Sequence, residues 1–261
     1  VTGYDVTTTI DVNLQDVAHS SLMEALQASE AQYGCALVME VQTGEIKAMA
    51  NLGRTADGQY AELYNYAVGN QGTTEPGSTF KLVSMLALLE ETSTALTDTI
   101  DTGDGKFRFH DRVMKDVIKG GFGELTVQEV FEKSSNVGMS RLIDHAFGKN
   151  PQKFVHYIQK LGLHKPLGLQ IKGEGVPIFK TPGGPGWSGV TLYWMSIGYA
   201  LKITPLQTLT LYNAVANNGK MVRPCIVKNI KQANRVVKSF QGGVVNEKIC
   251  TEATLQKLKT L

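Results

Sequence analysis

Ser78 and Lys81 stand three residues apart in the run Glu75-Pro76-Gly77-Ser78-Thr79-Phe80-Lys81, where a loop punctuated by Pro76 and Gly77 gives way to an apolar helix. Residues spaced by three lie on one helix face. A lysine whose pKa is depressed by burial or by a second cation takes the proton of a serine hydroxyl, and the serine becomes a nucleophile for acyl transfer. Backbone N–H groups at a helix start also lie where negative charge develops in such a reaction. A plainer reading gives Ser78 the role of a cap and leaves Lys81 solvated. The segment 80–91 (Phe-Lys-Leu-Val-Ser-Met-Leu-Ala-Leu-Leu-Glu-Glu) weighs against it. It is apolar nearly all round, as a helix buried in mid-domain is, and a solvated lysine is least expected there.

A second group follows in Glu132-Lys133-Ser134-Ser135-Asn136-Val137-Gly138, between two predicted helices. Ser134 and Asn136 offer a hydroxyl for proton relay and an amide for a substrate. The same residue types also favour a simple capping turn. Other candidates carry less. His19, His110, His145, His156 and His164 make no metal-binding spacing, and none has a local Ser/His signature. Asp111 and Asp116 either bear on a cleft or are solvated in a loop. Trp187, Trp194, Tyr193 and Tyr199 either line a groove or pack in a core. The loop 177–189, with three Pro and four Gly, is long enough to be functional or mobile.

The elements that must position these groups are read from periodicity and caps. A strand is predicted over 6–10, and Asp11 caps a helix over 12–28 with Leu14, Val17, Ala18, Leu22, Ala25 and Leu26 at helical spacing. Strands over 35–41 and 45–50 flank Gln42-Thr43-Gly44 as a hairpin. Residues 53–76 and 98–123 read as loop. Thr126-Val-Gln-Glu129 is a capping box that opens a helix over 127–133. Further helices are predicted over 137–147, 153–161 and 205–217, the last with Pro205 at its start and Gly219 just past its end. Strands follow over 222–230 and 235–240, then a helix over 252–261 that stops without a cap. Strands at both ends and helices between them predict an α+β fold, its sheet assembled from distant segments around a helical insertion.

Composition bounds the function. The chain has 261 residues, 26 Lys and Arg against 24 Asp and Glu, 42% hydrophobic and 19% charged residues. It is neither disordered in character nor basic enough for a dedicated nucleic-acid binder, so no nucleic-acid partner is expected. Cys35, Cys225 and Cys250 are far apart and support neither a disulfide framework nor a structural zinc site. No apolar stretch is long enough to span a bilayer. The opening Val1-Thr2-Gly3-Tyr4 has no signal-peptide pattern.

Taken together, the two motifs resemble those of the penicillin-binding proteins, the serine acyl-transferases of bacterial wall synthesis. Glu75-Pro76-Gly77-Ser78-Thr79-Phe80-Lys81 and Lys133-Ser134-Ser135-Asn136-Val137-Gly138 are similar to the class B transpeptidases, leaning toward the cell-division type. Gly3-Tyr4-Asp5-Val6, Thr9-Ile10-Asp11 and Leu14-Gln15 are similar to the opening segment of such domains. Gly198-Tyr199-Ala200, Thr204-Pro205-Leu206-Gln207 and Ala216-Asn217-Asn218-Gly219 are similar to the stretch before their last motif.

The resemblance implies one transpeptidase domain over 1–261 with a β-lactamase/transpeptidase-like α+β fold and a helical subdomain at about 78–220. Ser78 would attack the D-Ala-D-Ala bond of a peptidoglycan stem peptide, with Lys81 as its base. Ser134 would relay a proton to the leaving D-alanine, Asn136 would hold the substrate amide, and the Ser78 N–H would form half of an oxyanion hole. β-Lactams would acylate Ser78. No metal or organic cofactor is implied. Wall-synthesis and division proteins would be partners of the parent protein, at the outer face of the bacterial inner membrane through an N-terminal anchor outside this chain. The family's Lys-Thr/Ser-Gly strand is not in the sequence; Lys180-Thr181-Pro182-Gly183 and Lys119-Gly120-Gly121 do not replace it. The domain and its sheet are therefore expected to be incomplete at the C-terminus. Thr74 stands where many relatives have an aromatic residue. A serine β-lactamase, a β-lactam sensor of the same fold and a non-catalytic scaffold are the competing readings.

Overall fold

In the computed structural model, which describes residues 3–261, the chain divides into two units, each built from separated stretches. The first takes residues up to Thr74, then Lys165–Pro177 and Ile203–Ile249; the second takes Glu75–His164, Ile178–Lys202 and Cys250–Leu261.

In the first unit Asp11 starts the helix Val12–Ser29 by accepting from Asn13 N and Leu14 N. These are two of the donors that every helix start leaves unpaired. The hairpin forms from Tyr33–Met39 and Ile46–Arg54, with Tyr60–Ala61 as a short third strand. Along Ile46–Arg54 alternate residues Ile46, Ala48, Ala50 and Leu52 are buried, as the period of two requires. Ala48, Ala50 and Leu52 pack on Ala18, Leu22 and Leu26 of the helix. Small alanines there let helix and sheet approach closely.

Distant segments do share a sheet. Asp5–Thr8 pairs antiparallel with Val227–Gln232, which pairs on its other side with Arg235–Ser239. Thr9 is buried, and its hydroxyl donates to Ile46 O at 2.7 Å and to Cys225 O at 2.9 Å, joining hairpin and far segment. The helix Pro205–Ala216 starts on a second capping box, Thr204 with Gln207, and places Leu206 beside Ile46, Ala67, Val68 and Ile226.

The second unit is organised on the helix Lys81–Glu91. Every residue from Lys81 to Leu89 is buried. Leu82, Val83, Met85, Leu86, Leu88 and Leu89 each contribute roughly 1.5–3 kcal/mol by leaving water, which offsets the burial of Lys81 among them. The helices Asn136–Phe147, Pro151–Lys160, Thr191–Ser196 and Glu252–Lys259 surround it. The predicted capping box is present: Thr126 and Glu129 start the helix Val127–Glu132. Thr251 caps the last helix, and Glu90 accepts from both its N–H and its hydroxyl.

Three stretches read as loop contain strands. Within 98–123, Thr99–Asp101 pairs with Glu124–Thr126, and Lys106–Phe109 with Arg112–Lys115. Within 53–76, Tyr60–Ala61 joins the hairpin sheet. Within 177–189, Ile178–Phe179 pairs with Leu201–Lys202. These strands are two to four residues long, too short to show a period, and long-range pairing is what makes them extended. The short helix Thr191–Ser196 was likewise not legible.

Candidate active site

Ser78 lies on a 3₁₀ turn, Gly77–Phe80, immediately before the buried helix. In such a turn residues three apart eclipse each other, so Ser78 and Lys81 share one side, and Lys81 N donates to Ser78 O. No side chain caps this turn. Ser78 is exposed, and its hydroxyl has no hydrogen-bond partner among the described residues.

The segment before Ser78 is held by residues 198–200. Gly77 N donates to Gly198 O at 3.1 Å, and Ala200 N donates to Glu75 Oε1 at 2.9 Å. Gly198 has φ +85°, and a Cβ there would stand 1.9 Å from Gly77 O, so only glycine fits.

Lys81 is 1% exposed. Its amine donates to Ser134 O at 2.6 Å, to Asn136 Oδ1 at 2.7 Å and to Ser134 Oγ at 3.0 Å. An ammonium has three hydrogens, and these acceptors match all three. Burial pushes the Lys81 pKa down to about 8, with the negative charge of Asp116 pulling the other way.

The Ser134–Asn136 turn is tightly specified. Ser134 sits at φ +52°, a left-handed conformation uncommon for a residue with a Cβ and found disproportionately at functional sites. Ser135 is buried and caps the helix Asn136–Phe147 by accepting from Gly138 N at 2.8 Å. Both ends of the Asn136 amide are engaged: Oδ1 by Lys81, and Nδ2 by Lys115 O at 3.0 Å. The structure thus joins Lys81, Ser134 and Asn136 directly. Ser78 stands one turn away from Lys81, in reach of solvent.

The comparisons with known proteins bear on what this arrangement is for. Residues 34–261 match the description "Penicillin binding protein transpeptidase domain". The chain belongs to the penicillin-binding protein transpeptidase family. It is 31% identical over 237 residues to penicillin-binding protein PbpB of Mycobacterium tuberculosis, covering 87% of this chain and 33% of that protein. It is 29% identical over 231 residues to the peptidoglycan D,D-transpeptidase FtsI of Escherichia coli, covering 87% of this chain and 38% of the relative. The chain therefore spans between about a third and two fifths of the length of these relatives. Among solved structures, penicillin-binding protein 3 of Mycobacterium tuberculosis, crystallised with aztreonam, superposes with a TM-score of 0.83 at 27% identity. That match covers 98% of this chain and 56% of the other. The α+β transpeptidase fold follows.

Within this family member, the residue that motif reading underrated is Asp116. Its carboxylate meets the Ser135-Asn136-Val137 turn, and nothing in a Gly-rich stretch marks it out beforehand. The aromatic residues divide. Tyr193 stacks on Phe109 with centroids 3.9 Å apart, and burial pushes its phenol up to about 12, so it packs. Trp194 and Tyr199 line an open cleft of about 320 Å³ with Glu75, Arg112 and Lys180. Of the histidines, His19 lies 3.7 Å from Glu62, and His110 sits against Gly189. Among the described residues no group of three His, Cys, Asp or Glu side chains is placed to hold a metal ion, and no helix is long and apolar enough to cross a membrane.

Proposed function

We propose that this chain is the acyl-transfer domain of a peptidoglycan D,D-transpeptidase, forming a covalent intermediate on Ser78. The observation that carries the reading is the buried Lys81 amine, bonded to Ser134 and Asn136 and depressed to about 8. A buried amine with that pKa has a sizeable neutral fraction near neutral pH, as a general base needs. Lys81 takes the Ser78 proton as Ser78 Oγ attacks the carbonyl of a D-Ala-D-Ala bond. The Ser78 N–H supports the oxyanion, and no helical cap competes for it. Ser134, bonded to the amine, passes the proton on to the departing D-alanine nitrogen. Asn136 holds the donor peptide amide. An amine of a neighbouring stem peptide then takes the acyl group. A β-lactam follows the same path and remains on Ser78. The family match and the FtsI-type relatives support this substrate class.

The domain assignment is one transpeptidase domain. The parent protein acts outside the cytoplasmic membrane on an N-terminal anchor, with other wall-synthesis and division proteins as partners. Incubation with a fluorescent penicillin tests the reading: a covalent adduct forms on wild type and is lost in Ser78→Ala. Rapid turnover of a chromogenic β-lactam in place of a lasting adduct would assign a β-lactamase instead, and no adduct at all from the full-length protein would leave a binding scaffold.

A further inference from the structure

Asp116 occupies a position that the acylation chemistry does not by itself explain. Its Oδ1 accepts from Asn136 N at 2.6 Å, from Val137 N at 3.0 Å and from Ser135 Oγ at 3.1 Å, while Oδ2 accepts from Ser135 Oγ at 3.0 Å. The first two are orphan donors at the start of the helix Asn136–Phe147, where a negative charge is favoured. The neighbouring Lys115 O accepts from Asn136 Nδ2. The dipeptide Lys115-Asp116 therefore grips the turn through both main chain and carboxylate. It is fixed in its own place by Asp116 N donating to Gly105 O at 2.9 Å. A Cβ on Gly105 would stand 2.8 Å from Gly121 Cα, so the two glycines let this loop close tightly behind Asp116.

The helix start is already capped by Ser135. A neutral acceptor would serve the remaining N–H groups, yet a carboxylate is present. Asp116 is also a charged group whose field reaches the Lys81 amine, though it is not bonded to it; the groups bonded to that amine, Ser134 and Asn136, are neutral. We propose that Asp116 is a positioning residue of the acylation site: it fixes the Ser134–Asn136 turn to which Lys81 is bonded, and its negative charge offsets part of the cost of burying the Lys81 amine. The consequence for rate rests on the acyl-transfer reading above; the effect on the amine does not.

The sign follows from charge. Asp116 favours the protonated amine against the desolvation that opposes it, so removing the charge lowers the Lys81 titration midpoint further. Asp116→Asn retains an Oδ1 acceptor for Asn136 N and Val137 N and removes the charge. Asp116→Glu retains the charge on a longer arm. The direct measurement is the 13Cε titration of Lys81 by NMR, its signal assigned by its absence from Lys81→Arg. The midpoint is expected to fall by about 1 pH unit in Asp116→Asn and to stay near wild type in Asp116→Glu. A midpoint unchanged or raised in Asp116→Asn, or lowered equally in both variants, overturns the proposal. If Asp116→Asn does not fold, the titration of Asp116→Glu alone decides: a midpoint well below wild type despite the retained charge overturns it. In parallel, fluorescent-penicillin labelling across pH is expected to show the acidic limb of the Asp116→Asn profile moved to lower pH. A full-length wild-type protein that forms no adduct refutes the acyl-transfer reading and leaves the NMR result standing on its own.

Discussion

Lys81 Nζ is closer to the main-chain carbonyl of Ser134, at 2.6 Å, than to the Ser134 hydroxyl, at 3.0 Å. The lysine is therefore anchored by the shape of the turn, and the hydroxyl is an additional partner. Ser134→Ala keeps the carbonyl and the Asn136 contact. Its melting curve is expected to change by less than about 1 kcal/mol. Its penicillin acylation rate is expected to fall by roughly 10²–10⁴, the usual worth of a placed proton-transfer group. Unfolding of this variant in place of slow acylation would show that the hydroxyl is structural.

The depressed Lys81 amine also ties stability to pH. With a folded pKa of about 8 against an ordinary value of 10.5, the unfolded chain binds more protons between those limits. Stability contributed at this site therefore rises with pH across that window, and the burial penalty is full below about pH 8. Lys81→Met removes the titration. Urea denaturation at a series of pH values is expected to show wild type gaining on the order of 3 kcal/mol relative to Lys81→Met between pH 7.5 and 10.5. Parallel stability curves would place the amine in contact with water. The acylation rate of wild type rises through the same midpoint near pH 8, because the neutral amine is the base.

Gly198 and Gly77 test how the nucleophile turn is held. Ala at 198 meets Gly77 O at 1.9 Å and is strained at φ +85°. Gly198→Ala is expected to lose at least about 2 kcal/mol of stability and to label more than tenfold more slowly with penicillin. Thermal melting and labelling read the two effects separately. A variant with wild-type values in both would mean that the 75–77 and 198–200 segments do not constrain each other.

In the first unit, Thr204 accepts from Gln207 N at 3.3 Å, and Gln207 Oε1 accepts from Thr204 N at 3.0 Å. Thr204→Ala removes one side of this box. It is expected to cost about 1 kcal/mol in chemical denaturation, and Thr204→Ser to restore most of it. Equal losses in both variants would point to packing of the threonine methyl instead.

The sequence by itself determined the local devices and the ingredients of the chemistry. Caps at Asp11 and Thr126, Pro205 at a helix start and the all-round apolar character of 80–91 act between residues a few positions apart, so local pattern reveals them. The burial of Lys81 followed from the same reasoning, since one lysine in an apolar helix goes where the helix goes. Ser78, Lys81, Ser134 and Asn136 were legible as two short motifs. Only the tertiary structure decided how they meet: Lys81 bonded to the Ser134 carbonyl and the Asn136 amide across more than fifty residues of chain, with Ser78 left facing solvent. It also decided the strands within 98–123 and the placement of Asp116. A three-residue strand has no period of its own, and a carboxylate in a glycine-rich loop is a solvated charge until the chain folds it onto a helix start. What makes Asp116 matter is its distance to groups far along the chain, and distance is a property of the fold.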